Sequence, residues 1–117
     1  KNANGEAWVI AGDLNLLPPG QYDLMDEDAK GYYQPTSELE RIYEQFKVIP
    51  TIAQANGANA KRWFTHFPNR KEIAGPDRTI DFFVHSDHLQ VAGAQVIQQN
   101  TWHISDHLPM IMTLTLP

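Results

Sequence analysis

The stretch Ser105-Asp106-His107-Leu108-Pro109 places an Asp-His pair between a small polar residue and a proline. Proline cannot donate a hydrogen bond to a neighbouring strand, so it suits the first residue of a strand. Residues 110–116 then alternate, with Met or Leu at even positions and Ile or Thr at odd positions. This alternation predicts a strand with two different faces. We therefore expect Asp106 and His107 to lie where that strand begins, held in place by its packing.

Length and composition predict one globular domain. The chain has 117 residues, of which 42% are hydrophobic and 20% charged, and this is enough to bury a core. It has no cysteine, which excludes disulfides, thiolate metal sites and a cysteine nucleophile. The lack of cysteine suits either side of a membrane, so the compartment stays open, with a slight preference for the cytoplasm. No apolar run approaches membrane-spanning length, and we expect a monomer.

Charge is unevenly distributed along the chain. The net charge of −5 argues against a protein that coats nucleic acid through bulk electrostatics. Residues 21–44 carry seven acidic and two basic residues, whereas residues 61–78 carry five basic and two acidic residues. The basic segment also contains Trp63, Phe64 and Phe67, a combination that can bind a phosphate and stack on a base. A solvated loop with a small hydrophobic anchor explains it equally well.

Two apolar stretches carry acidic residues. Residues 7–11 form an apolar run closed by Gly12, which predicts a strand buried on both faces. If this strand continues through Asp13 and Asn15, the two side chains share a face, although a turn-forming Asp and Asn is as good an interpretation. Asp81 lies inside the apolar strand predicted at 79–84, where a carboxylate needs a partner. Arg78 is the nearest partner, and a histidine oriented by Asp81 is the stronger explanation.

The rest of the chain predicts one clear helix among short strands. Residues 16–35 are interpreted as an irregular loop. The helix is expected from Ser37 to Phe46 or Lys47, because Ser37 and Glu40 match a capping box and an apolar stripe follows at helical spacing. Further strands are predicted at 48–52, 62–66 and 91–97, with a turn at 56–59 and a loop at 68–77.

Three motifs occur in a fixed order: Gly12-Asp13-Leu14-Asn15, Thr79-Ile80-Asp81-Phe82-Phe83 and Ser105-Asp106-His107-Leu108-Pro109. This ordered set resembles the C-terminal half of the endonuclease/exonuclease/phosphatase superfamily, which includes pancreatic deoxyribonuclease, abasic-site endonucleases, inositol-phosphate phosphatases and neutral sphingomyelinases. The resemblance implies an α/β (α+β) fold, namely half of a four-layer αββα sandwich with mixed β-sheets. Residues 1–117 would then be the C-terminal part of a single domain whose N-terminal half, with the main metal-binding Glu, is absent.

The resemblance also implies hydrolysis of a phosphate ester by water, with Mg²⁺ or Mn²⁺ as cofactor. Asp13 would orient or deprotonate the attacking water, and Asn15 would bind the phosphate or position Asp13. Asp81 would hydrogen-bond His107 and fix its tautomer. His107 would stabilise charge on the phosphoryl oxygens, and Asp106 would lie in or beside the metal shell.

Substrate identity stays open among nucleic acids, phospholipid head groups and small phosphodiesters. Asn15, Trp63, Arg78 and Trp102 are candidate substrate contacts, and the two tryptophans are explained equally well as core or rim residues. His66, His85, His88 and His103 match no site of the superfamily, and we interpret them as surface or core histidines. We expect the 117 residues to be inactive without the N-terminal half. The alternative is a non-catalytic binding or scaffold protein that retains the fold.

Overall fold

The computed structural model describes residues 6–68, 75–101 and 103–116. They form a mixed fold of short helices and two antiparallel sheets, which confirms the α+β class. The elements in chain order are β1 (Val9–Asp13), α1 (Glu27–Lys30), α2 (Glu40–Gln45), β2 (Lys47–Ile49), α3 (Ile52–Asn56), β3 (Asp81–His85), β4 (Gln90–Val96) and β5 (Met110–Thr115). Short 3₁₀ helices lie at Gln21–Leu24 and Ala60–Trp63. No helix in these described ranges is long and apolar enough to cross a membrane.

The first sheet has the order β1-β3-β2, with both pairs antiparallel. The central strand β3 contains the aromatic residues Phe82 and Phe83 and the β-branched residue Val84, types that favour strands. The side chains of Phe82 and Val84 point to the same face and are buried. They pack with Leu39 and Val48 in one hydrophobic cluster. The strand predicted at 79–84 is therefore confirmed, although it begins at Asp81 and continues to His85.

The second sheet pairs β4 with β5 in an antiparallel arrangement, with a register irregularity between Val91 and Gly93. Burial alternates along β5 as the sequence predicts: Met110 and Met112 are half-buried, while Ile111 and Thr113 are exposed. The half-buried methionines contact a cluster formed by four buried residues, Ile49, Trp63, Val96 and Leu108, to which Phe83 of β3 also contributes. The two sheets therefore share one core, and this core fixes the segment that precedes β5.

Helix α2 carries the predicted apolar stripe, but it begins later than expected. Leu39 is buried, and Ile42, Tyr43 and Phe46 pack against the same cluster as Phe82. The Ser37 hydroxyl accepts the amide of Leu39 and donates to the carbonyl of Leu17, so it forms a local turn rather than a capping box. The helix is Glu40–Gln45, without a side-chain cap.

One predicted strand is shorter than expected and another does not form. The strand predicted at 48–52 is confirmed in its first part and ends at Ile49, because Thr51 and Gln54 form a capping box that begins α3. A strand was expected at 62–66, but its first part is a 3₁₀ helix and only His66 makes isolated bridges, to Arg78 and His107. In both places, local hydrogen bonds compete successfully with the apolar pattern.

The prediction that β1 is buried on both faces is also wrong. All five residues of β1 are exposed, and Ile10 keeps 59% of its accessible surface. Among the described residues β1 pairs with β3 alone, and its side chains are at most partly covered. The strand ends at Asp13, because Asn15 has a φ of 56° in the left-handed region. Asp13 and Asn15 are therefore linked by a turn and do not share the face of one strand.

Candidate active site

Two carboxylates face each other where β1 ends and β3 begins. Asp13 and Asp81 are direct partners in the antiparallel register. Like charges directly opposite on neighbouring strands repel each other, so this pair requires a compensating group. His107 supplies it: its Nδ1 lies 2.9 Å from Oδ2 of Asp81, and its Nε2 lies 3.6 Å from Oδ2 of Asp13. The imidazole therefore lies between the two acids.

The segment before β5 positions this imidazole through its backbone. The amide of Leu108 donates to the carbonyl of Thr65, and the amide of Phe67 donates to the carbonyl of Asp106. Leu108 is buried in the core, and the hydroxyl of Ser105 accepts the amide of His107. The residues on both sides of His107 are thus anchored, while its ring is directed towards the ends of β1 and β3.

Thr65 connects the two halves of the site. It is fully buried, and its hydroxyl oxygen accepts the amides of Ile80, at 3.1 Å, and Asp81, at 3.3 Å. Its carbonyl accepts the amide of Leu108, so one residue contacts both the Asp81 strand and the His107 segment. Sequence analysis did not identify this role, because a single Thr within an aromatic segment gives no signal of its partners.

The start of β3 has a second buried support in Gln21. Its amide nitrogen donates to the carbonyl of Ala55, and its amide oxygen accepts the amide of Thr79. Gln21 and Thr79 are both fully buried, so these bonds form in a low-dielectric interior. Part of the stretch interpreted as an irregular loop thus holds the strand that carries Asp81.

Asn15 follows the acid of β1 in a tight turn. Its amide donates to Oδ1 of Asp13 over 2.8 Å, while Oδ2 of the same carboxylate faces His107. One oxygen of Asp13 therefore accepts the Asn15 amide and the other faces His107, so the turn fixes the orientation of the carboxylate. Asn15 itself is exposed, and its side chain lines a cavity beside the site.

The carboxylates determine the protonation of His107. An ionised carboxylate only accepts hydrogen bonds, so Nδ1 of His107 carries the proton that it donates to Asp81. Partial burial lowers the pKa of His107, but the hydrogen bond and charge of Asp81 and the charges of Asp13 and Asp106 outweigh it. The pKa of His107 therefore lies above its ordinary value, so the charged imidazole persists to a higher pH than it would in a free histidine.

A second histidine lies against the first, and sequence analysis missed it. The ring of His66 is 5.0 Å from the ring of His107, centroid to centroid. Burial, followed by the charges of Arg78 and His107, lowers the pKa of His66, so His66 loses its proton at a lower pH than His107 does. Its position depends on the bridges that His66 makes to two distant segments, which no local pattern encodes.

Two overlapping groups of side chains could hold a metal ion, namely Asp13, Asp81 and His107, and His66, Asp106 and His107. Within each group the ligand atoms lie within 4.8 Å of one another. Asp106 is exposed and offers a hard carboxylate oxygen, the donor that Mg²⁺ and Mn²⁺ prefer. The Asp81 oxygen is already used by His107. Either group could therefore hold a cation, and Asp106 is the exposed carboxylate of the second group.

The weaker candidates for substrate binding are placed differently. Arg78 is buried and makes two bonds to Asp77, Nε to Oδ1 at 2.8 Å and Nη2 to Oδ2 at 3.1 Å, so its charge is largely neutralised. Trp63 is buried in the shared core. Trp102 and residues 69–74, which include part of the basic segment, lie outside the described residues.

The remaining histidines lie apart from these groups. His85 is buried with its Nδ1 2.9 Å from the carbonyl oxygen of Ser86, and His103 is exposed.

Comparisons with protein-family models, curated proteins and solved structures found no match for this chain.

Proposed function

We propose that this chain carries part of the catalytic centre of a divalent-metal-dependent phosphoric ester hydrolase, most closely a phosphodiesterase or nuclease. The observation that carries the proposal is the row Asp13–His107–Asp81, in which an imidazole is held between two carboxylates from three separate parts of the chain. Hydrolysis of a phosphate ester needs an oriented water and a cationic group beside the phosphoryl oxygens. Asp13 and His107 together supply this pair.

Each residue has a role that its contacts support. Asp81 accepts the Nδ1 proton of His107, which leaves the Nε2 proton directed towards Asp13 and available to a phosphoryl oxygen. The Asp13 carboxylate, whose side chain is exposed, orients or deprotonates the attacking water. Asn15 keeps the Asp13 carboxylate in place through its amide, and its side chain is free to contact the phosphate.

The proposed cofactor is Mg²⁺ or Mn²⁺, held by Asp106. When bound, such a cation neutralises negative charge that develops on the phosphoryl oxygens. His107 donates from both ring nitrogens in this role and offers the cation no lone pair, so His66 and Asp106 are the members of the second group that remain as ligands. If Asp106 binds alone, either cation fits.

We further propose that the chain is the C-terminal part of a four-layer sandwich, completed by an N-terminal half. The exposed faces of β1 support this, since an apolar strand gains stability only when its side chains are covered. The N-terminal half would also supply the remaining metal ligands. We therefore expect the 117 residues alone to be inactive.

The test is metal-dependent hydrolysis by the natural polypeptide that contains this sequence. An aryl phosphodiester and an aryl phosphomonoester are assayed side by side with Mg²⁺, with Mn²⁺ and after chelation. Asp13→Asn keeps the shape of the side chain and removes its charge, and Asp23→Asn is the matched control because Asp23 is an exposed acid outside the site. We expect diester cleavage that chelation and Asp13→Asn abolish and that Asp23→Asn leaves intact.

Other outcomes are equally informative. Turnover confined to the monoester would make the protein a phosphatase. Turnover that survives Asp13→Asn would contradict the assigned site. The absence of turnover with every metal and both esters would favour the non-catalytic binding protein.

A further inference from the structure

A cavity of about 870 Å³ lies at the end of β3 that is far from the candidate active site. β3 begins at Asp81, which contacts His107, and ends at His85, which lines this cavity. Alternate residues of a strand share a face, so Asp81 and His85 point to the same side of the sheet, separated by about 13 Å along the strand. Among the described residues that line the cavity, none belongs to the candidate active site.

His85 is the buried polar side chain of the cavity wall. It keeps 3% of its accessible surface, and its Nδ1 lies 2.9 Å from the carbonyl oxygen of Ser86. A carbonyl oxygen only accepts hydrogen bonds, so Nδ1 carries a proton and the neutral ring presents a lone pair at Nε2. Within the part of the chain that the structure describes, Nε2 has no hydrogen-bond partner. The cavity therefore contains an acceptor that is available to a ligand.

The other buried residues of the cavity wall are apolar, namely Val48, Ile49 and Leu89. Val48 and Ile49 belong to β2, whereas Leu89 directly precedes β4, so both sheets contribute to the wall. Tyr43 adds an aromatic ring, and its hydroxyl is already used, since it donates to the carbonyl of Pro50 over 2.8 Å. Burial raises the pKa of Tyr43, so the hydroxyl keeps its proton and adds no charge.

The charged residues of the wall favour neither sign of ligand. Glu44, Lys47 and Asp87 are all exposed, including Lys47, which lies opposite His85 in the strand register. Exposed charges contribute little to affinity, because water and salt screen them. In the buried part, a charged group would face one imidazole and aliphatic side chains, which do not replace its hydration. The cavity is therefore suited to an uncharged ligand.

We propose that this cavity binds a small uncharged molecule with an apolar body and one hydroxyl or N–H donor, which hydrogen-bonds to Nε2 of His85. The volume lies within the range of small-molecule pockets, roughly 300–1,000 Å³. Such pockets are mostly apolar and contain a few polar groups that fix the orientation of the ligand, the part that His85 plays here. The inference is independent of the proposed hydrolysis, because it uses no residue assigned to that reaction.

Phenol and anisole test the site, because they share a ring and only phenol has a hydroxyl donor. The natural polypeptide that contains this sequence is prepared with labelled histidine and titrated with each ligand, and NMR shifts report the dissociation constants. Phenol should bind roughly two- to tenfold more tightly than anisole, the ratio that one hydrogen bond contributes. It should also shift the Nε2 resonance of His85, which anisole should not. Benzoate and benzylammonium, charged molecules of similar size, should bind more weakly than phenol.

His85→Phe keeps a ring and removes the acceptor, so it should give phenol and anisole equal affinities. His103→Phe is the matched control, since His103 is an exposed histidine outside the cavity, and it should preserve the ratio. His85→Phe also removes the bond to Ser86, so circular dichroism checks that the variant folds. If it does not fold, the Nε2 resonance of the unsubstituted protein decides the result.

Equal binding of phenol and anisole by the unsubstituted protein, tighter binding of either charged molecule, or an Nε2 resonance that phenol leaves in place would overturn the inference. Undetectable binding of all four molecules counts against it as well, since it would mean that the cavity is closed to small ligands in the natural polypeptide.

Discussion

The Nδ1 atom of His107 lies 2.9 Å from Oδ2 of Asp81, although the two residues are 26 positions apart in the chain. Asp81 has its backbone amide within reach of Thr65, and His107 is fixed through the amide of its neighbour Leu108 on the same Thr65. Hydrogen bonds from the backbone to Thr65 therefore position both residues, so the contact does not depend on the flexibility of the two side chains.

Asp81→Asn should weaken catalysis without unfolding the protein. The amide keeps the shape of the side chain, but it no longer stabilises the charged imidazole or fixes one tautomer. We expect the rate of the proposed ester hydrolysis to fall by roughly 10²–10⁴. NMR of the labelled imidazole should show a lower pKa for His107 and a mixture of tautomers. An unchanged spectrum would show that Asp81 does not orient the ring.

The two histidines of the site should affect stability in opposite directions as pH changes. The raised pKa of His107 means that the folded state binds its proton more tightly than the unfolded state. Its contribution is therefore present below the ordinary pKa of about 6.5 and is lost as pH rises through the folded-state value. The lowered pKa of His66 gives the reverse, with a contribution that is lost as pH falls through its folded-state value.

Urea unfolding from pH 5 to pH 8 checks these signs. Relative to the intact chain, His107→Gln should lose most stability at the acidic end, whereas His66→Gln should flatten the loss that acidification causes. NMR titration of both rings in the metal-free chain gives the pKa values directly. A pKa for His66 above that of His107 would contradict the arrangement.

Asp13 and His107 should show coupling in a double-mutant cycle. With His107 present, Asp13→Asn removes an attraction, but in a His107→Gln background it removes a repulsion from Asp81. The same substitution should therefore destabilise the first protein and stabilise the second, by about 0.2–1 kcal/mol in each case. Unfolding free energies of the four chains at pH 6 give the coupling. Additive effects would mean that Asp13 and His107 do not interact.

Thr65→Val should destabilise the protein much more than its small change in side-chain shape suggests. Valine has the shape of threonine but cannot accept the amides of Ile80 and Asp81, which are left unpaired in the interior. The expected loss is about 1–3 kcal/mol of unfolding free energy. Thr115→Val is the control, since Thr115 is exposed on β5 and its loss should stay within about 0.5 kcal/mol. Similar losses of unfolding free energy in the two variants would show that Thr65 does not connect the Asp81 strand to the His107 segment.

The strands that were predicted correctly are those that depend on a local pattern of residues. Alternation placed β5, and the apolar runs placed β3 and β4, because side-chain period and strand burial are properties of a few adjacent residues. The apolar strand predicted only that Asp81 needs a partner, with Arg78 as the nearest one, whereas the contact with His107 was implied by the resemblance of the three motifs; in the structure Arg78 binds Asp77 instead.

Features that depend on distant pairing were missed. Thr65 and His66 acquire their roles because their segment lies between Arg78 and the His107 loop, and no spacing in the chain indicates this. The sequence left Asn15 open between the strand of Asp13 and a turn, and its left-handed φ together with the bond from its amide to Asp13 shows the turn. The burial of β1 was wrong because an apolar run shows only that a strand needs a cover and does not show what provides it.

The exposed strand β1 has a consequence for handling the protein. Within the described residues it is hydrogen-bonded along one edge, and Val9 and Ile10 leave apolar surface open on its faces. Open apolar edges template the addition of further strands. Molecules in concentrated samples should therefore associate through β1 while the rest of the chain is still folded. Ile10→Lys, a charge at the centre of that edge, should raise solubility and suppress thioflavin binding while leaving the His107 pKa unchanged.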